Sequence, residues 1–217
     1  GGDMMATKDV QSQVLLGLVR IKPDFTYEPA LAEEIPDVAN GGVTEDPFTV
    51  TWKIKKEAVW SDGEPVTADD VKFTLDTIMS KKWDIVSKSG YEEITEAEVV
   101  DDKTIKLTFK DTYAPYREMF SSSYMVLPKH ALDGKNFNTA MNDEIPVASG
   151  PFTFKEWKKG DHITLARNDQ YWGPKAYLDE VVFKWIPDVN TEVAQLKTGE
   201  VDAVNPSPDP ALIDQLK

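Results

Sequence analysis

The sequence predicts an α/β protein with mixed sheets, arranged as two lobes of different build. Three observations carry this. An alternating segment at 48–54 leads through a tight turn into a capped helix, two hairpins fall near 97–109 and 152–165, and a strand–helix–strand pattern occupies 181–204.

Phe48, Val50, Trp52 and Ile54 alternate with Thr49, Thr51 and Lys53, which is the period of a half-buried strand. Ser61-Asp62-Gly63 then reads as a turn, with Gly63 free to take positive φ. Thr67 is an N-cap, and Asp69 and Asp70 in the first turn suit the positive end of the helix dipole. Val71, Leu75, Ile78 and Met79 place one apolar face on that helix. Asp101-Asp102-Lys103 separates Val99-Val100 from Ile105, Leu107 and Phe109, as a hairpin requires. Phe152, Phe154 and Trp157 face Ile163 and Leu165 across Lys158-Lys159-Gly160-Asp161 in a second hairpin, with Trp52 and Trp157 expected in the core. The apolar run at 181–186, N-caps at Asp188 to Thr191, a helix carrying Val189, Val193 and Leu196, the C-cap Gly199 and a strand at 201–204 together predict a βαβ unit. That unit is expected to share a lobe with the 150–167 hairpin, with 48–146 apart from it.

Composition excludes several functions. A net charge of −14 leaves no clustered Lys and Arg to neutralise phosphates, so a nucleic-acid partner is not expected. The absence of cysteine removes disulfides, a thiol nucleophile and a zinc–thiolate site together. No apolar run approaches the roughly 20 residues of a membrane span, and the first residues lack the layout of a signal peptide, so an export signal is expected to be absent from this chain. The two histidines, His130 and His162, lie in separate segments without ligand spacing and read as structural or surface residues. The P-loop, the dinucleotide fingerprint and Gly-x-Ser-x-Gly are missing, so no cofactor and no metal is expected. Carboxylates are plentiful but already serve turns and helix starts, which sets a glycoside hydrolase as the rival from another functional class.

Two segments resemble a known family. The first runs from Lys53 through Trp60-Ser61-Asp62-Gly63-Glu64-Pro65-Val66-Thr67-Ala68-Asp69-Asp70-Val71 to Phe73, and is similar to the signature of the family 5 solute-binding proteins. The second joins Ser149-Gly150-Pro151-Phe152, Arg167-Asn168-Asp169-Gln170-Tyr171-Trp172-Gly173, Tyr177-Leu178-Asp179-Glu180-Val181 and Thr198-Gly199-Glu200-Val201-Asp202, in the family's order. Leu15 to Val19, followed by Glu28-Pro29-Ala30-Leu31-Ala32-Glu33, resembles the family's first strand and its Pro-x-Leu-Ala-Glu segment. Leu16 and Phe152 depart from the family pattern, which more often carries Glu or Tyr at the first position and Tyr at the second.

The resemblance implies a periplasmic-binding-protein-like fold of type II, in the large cluster with an extra lobe. It implies that 1–32 plus 147–217 form the first lobe and 33–146 an inserted second lobe, with the third lobe and the C-terminal return strand missing. It implies a monomer without catalysis that binds a small-molecule solute, foremost a peptide, and delivers it to the membrane permease of an ABC transporter. Its expected place is extracytoplasmic, in the periplasm or lipid-anchored at the cell surface; a sensor or adaptor that kept the fold and lost transport is the other alternative. The ligand contacts it points to are Val14, Leu15, Leu16 and Gly17, Tyr91, Ser121, Ser122, Ser123 and Tyr124, and Ala148, Ser149 and Gly150. The signature residues Asp62, Gly63, Thr67, Asp70, Arg167 and Asn168 are expected to shape turns, caps and strand ends.

Overall fold

The computed structural model describes residues 4–121, 124–141 and 144–204. Strand β4 (Phe48–Lys53) is the centre of the largest sheet. It pairs antiparallel with β3 (Val43–Glu45) on one side and β6 (Thr104–Phe109) on the other, and β5 (Ile94–Asp101) completes the order β3-β4-β6-β5. The expected alternation holds where it matters for the core. Val50 and Trp52 stand opposite Leu107 and Ile105, and all four are fully buried. Burying an aliphatic side chain of this size contributes about 1.5–3 kcal/mol relative to exposing it. Thr49 is buried as well, with its hydroxyl 2.6 Å from that of Thr44.

Helix α2 (Ala68–Met79) packs on β5 and β6. Val71, Leu75 and Ile78 are buried as the periodicity predicts, but Met79 is exposed. At 3.6 residues per turn Met79 lies about 80° around the helix from Val71, at the margin of the apolar stripe, and it is the last helical residue.

A second sheet is the antiparallel meander β7 (Phe152–Lys158), β8 (His162–Arg167) and β9 (Glu180–Lys184). Gly160 turns the β7–β8 hairpin with φ +79°. A short ribbon of β1 (Val19–Ile21) and β2 (Tyr27–Pro29) stands apart from both sheets. Two further helices are α3 (Lys129–Leu132) and α4 (Val189–Thr198); α4 begins at Asp188, whose carboxylate accepts the Thr191 N–H at 2.8 Å, and ends at Gly199 with φ +74°. Among the described residues, the buried apolar side chains other than Val193 form one cluster that reaches from Val10 to Leu165.

Three expectations fail. The stretch 201–204 forms no strand among the described residues, so the βαβ unit is absent. The Val201 N–H instead turns back to the Gln195 carbonyl at the end of α4, and β9 runs antiparallel to β8. The apolar run at 181–186 contributes to β9, an edge strand with Val181 and Phe183 turned inward and Val182 exposed. Trp157 is exposed rather than in the core, because the bulge between Phe154 and Glu156 carries the end of β7 away from it; its ring lies 5.5 Å from the Lys159 ammonium. Finally, Leu15 to Val19 is not a strand. The chain leaves helix α1 (Met4–Val14), crosses 15–18 as an irregular link and enters β1 only at Val19.

Candidate functional site

The irregular link after α1 is where the candidate ligand residues gather. The Ser149 and Gly150 N–H groups both donate to the Val14 carbonyl, at 3.0 and 2.9 Å, and the Leu16 N–H donates to the Ser149 hydroxyl oxygen at 2.9 Å. On the other side the Leu18 N–H donates to the Phe120 carbonyl at 2.6 Å and the Val126 N–H to the Leu16 carbonyl at 3.0 Å. Segments 14–18, 120–121 with 124–126, and 148–150 thus meet in one junction, held by backbone groups of residues more than a hundred positions apart.

Two glycines make the approach feasible. A Cβ on Gly17 would lie 2.2 Å from the Phe120 carbonyl oxygen, and one on Gly150 would lie 2.7 Å from that of Gln13, so neither position admits a side chain without moving backbone. Asn168, at the end of β8, donates from its side chain to the Gly150 carbonyl at 2.9 Å and from its backbone to that of Pro151. Ser61 joins the signature turn to the same place: its N–H donates to the Ala148 carbonyl at 2.8 Å and its hydroxyl accepts the Ala148 N–H at 2.9 Å.

The junction is backed by aromatic rings. Tyr91 is buried, stands edge-on to Phe120 at 5.2 Å and to Tyr124 at 5.5 Å, and accepts the Phe120 N–H at 2.8 Å on its hydroxyl. Burial pushes its phenol well above the ordinary tyrosine value. Tyr124 is half-buried, and its hydroxyl bonds to both backbone groups of Ser87.

The structure therefore brings together Val14, Leu15, Leu16, Gly17, Tyr91, Ser121, Tyr124, Ala148, Ser149 and Gly150; Ser122 and Ser123 lie outside the described residues. Most of these are buried framework. Ser121 spends its hydroxyl on the Glu118 carbonyl, and Ser149 spends its own on Leu16. The half-buried side chains at the junction are Leu16, Tyr124 and Val147. Sequence reasoning missed Ser61 and Val147, which carry no motif of a binding role, and gave Asn168 only the end of a strand.

The signature turn and helix have a parallel architecture. Asp70, buried at the start of α2, accepts the Thr67 N–H at 2.8 Å, the Lys129 N–H at 2.8 Å and the Trp60 indole N–H at 3.3 Å. The Lys103 ammonium donates to the carbonyls of Val66, Lys55 and Ala58 at 2.6, 3.3 and 3.4 Å, and desolvation lowers its pKa. His130 meets Asp62 at 2.8 Å, and His162 lies beside Glu156 and Asp161. Among the described residues no three His, Asp or Glu side chains gather as metal ligands, and no helix is long and apolar enough to cross a membrane.

The sequence profile of the bacterial extracellular solute-binding proteins, family 5 Middle, matches residues 26–217, and the chain belongs to that family. It is 35% identical over 206 residues to the oligopeptide-binding protein AppA of Bacillus subtilis (strain 168), covering 92% of this chain and 36% of that protein. The structure of AppA from Bacillus subtilis in complex with a nonapeptide superposes with a TM-score of 0.80 at 32% identity, over 93% of this chain and 39% of that one. NikZ from Campylobacter jejuni in complex with Ni(L-His) gives 0.79 at 26% identity, over 88% and 37%. These neighbours have the type II periplasmic-binding-protein-like fold, and both the family and the neighbours are binding proteins. The chain spans well under half the length of these relatives.

Proposed function

We propose that this chain is the N-terminal part of an extracytoplasmic protein that captures peptides and delivers them to the permease of an ABC importer, without catalysing a reaction on them. The observation that carries this reading is the agreement, over 93% of the chain, with an oligopeptide-binding protein holding a nonapeptide. The junction supports it, because a rigid frame with its donors satisfied presents the half-buried faces of Leu16, Tyr124 and Val147 as one wall of a cleft. In this reading residues 1–32 with 147–217 form one lobe, 33–146 form an inserted lobe, and a further lobe of the longer protein supplies the opposite wall. Closure of the two walls buries the peptide, and the closed monomer docks on the permease from the periplasm or from a lipid anchor at the cell surface.

Calorimetric titration of a random tetra- to nonapeptide pool into two proteins tests this. One is residues 1–217 and the other is the chain extended to the length of its relatives. The extended protein is expected to bind selected peptides at micromolar affinity or better. The shorter one should be at least tenfold weaker, because a single wall supplies only part of the burial and of the convergent hydrogen bonds. Absence of peptide binding by the extended protein would refute the assignment, and equal affinity would refute the two-walled cleft.

A further inference from the structure

A groove of about 560 Å³ runs along the outer side of α2, between that helix and the segments around 80–83 and 129–137. None of the residues lining it belongs to the junction. Its apolar wall is made of Phe73, Trp83 and Phe137, each half-buried, with Leu132 buried beneath them. Three aromatic faces in one concavity offer a flat apolar ligand more contact than an aliphatic wall of the same size. The volume falls within the range typical of small-molecule sites.

The charge of the rim is selective. Lys72 pairs with Asp76 at 2.8 Å one turn further along α2, and Lys129 pairs with Asp69 at 3.3 Å, so these four largely cancel. Lys82 and Lys135 line the same groove and make no ion pair among the described residues, and Asp133 is the one remaining carboxylate that opposes them. The groove thus keeps a local positive balance on a chain whose net charge is −14. A polyanion is disfavoured by the aspartates on the same rim, whereas a single carboxylate beside a ring meets both features.

We infer that this groove binds a small aromatic carboxylate, its ring against Phe73, Trp83 and Phe137 and its carboxylate held by Lys82 and Lys135. The site is separate from the peptide cleft proposed above and does not depend on it.

The test uses 2-naphthoate and its neutral amide, 2-naphthamide, titrated into the full chain labelled with nitrogen-15. The indole N–H resonance of Trp83, assigned by its loss in Trp83→Phe, reports on the groove alone. Saturable movement of that resonance with 2-naphthoate, at least tenfold weaker with the amide, is the expected result. Lys82→Glu combined with Lys135→Glu should weaken 2-naphthoate at least tenfold while leaving the melting temperature unchanged, since both side chains are exposed. Equal response to acid and amide, no saturable movement, or an unaltered affinity in the double variant would each overturn the proposal.

Discussion

The carboxylate of Asp70 accepts the backbone N–H of Lys129 at 2.8 Å, tying the first turn of α2 to the first turn of α3 across fifty-nine positions of chain. The same buried carboxylate caps its own helix through Thr67 and holds the indole of Trp60. One side chain therefore fixes a helix start, a turn and a distant helix. Asp70→Ala strands all three donors, and the loss of stability should reach about 3 kcal/mol or more. Asp70→Asn, which keeps one oxygen acceptor, should cost less. Urea unfolding of the two variants measures both, and midpoints equal to that of the parent would remove Asp70 from this role.

Two glycines should respond very differently to alanine. Gly63 has φ +92° with open space around it, so Gly63→Ala carries only backbone strain, about 1 kcal/mol. At Gly17 the new methyl would meet the Phe120 carbonyl oxygen and the Ser121 Cα, neither of which can swing aside, and the cost should be about 3 kcal/mol or more. Thermal denaturation ranks them. A larger loss at Gly63 than at Gly17 would contradict the packing at the junction.

Tyr91 predicts a loss of stability in alkali. Its folded pKa is raised by burial, so between the ordinary tyrosine value near 10 and the higher folded value the unfolded chain gives up the proton first. The contribution is present below about pH 10 and is lost as pH rises above it. Tyr91→Phe should flatten this alkaline decline. It also removes the acceptor of the Phe120 N–H, so stability at neutral pH should fall by about 1–2 kcal/mol. Urea midpoints recorded from pH 7 to 11 are the measurement; an unchanged slope above pH 10 would exclude Tyr91 as its source.

Lys103 binds three carbonyls that frame the signature loop. Lys103→Met preserves the aliphatic stem and deletes the donors, and should cost about 1–2 kcal/mol. Faster amide exchange at Val66 and Ala68 relative to the β4–β6 ladder would localise the loss to this loop. Uniform acceleration through both regions would mean that Lys103 supports the sheet instead.

How much of this was legible depended on whether the cause was local. The strand at Phe48, the turn at Gly63, the cap at Thr67 and the ends of α4 at Asp188 and Gly199 each follow from a few adjacent residues, and each stands where the periodicity and capping rules place it. The errors arose where a distant partner decides. Val201 to Val204 has strand composition but no neighbouring strand among the described residues, and Trp157 sits at an inward position of an ideal strand that a bulge displaces. For the candidate site, the resemblance drew attention to the three segments that converge. Their sequence held no sign that Ser149 and the Tyr91 hydroxyl are already engaged with backbone, because those bonds join residues 133 and 29 positions apart, whereas the Ser121 hydroxyl meets the Glu118 carbonyl only three positions away, in a local turn without a sequence signature.

That separation has a consequence for synthesis. Val14, Leu15 and Leu18 are buried in the finished protein, yet the backbone groups that lock their segment belong to Phe120, Val126, Ser149 and Gly150. On a ribosome adding roughly 5–20 residues per second, the N-terminal link waits about 7–27 seconds for its last partners to emerge. Throughout that interval the link has only its nearer partners, the Ala30 and Ala32 N–H groups on the Leu18 carbonyl and the Leu31 N–H on that of Gly17. The junction therefore closes only once residues from both ends of this region are together.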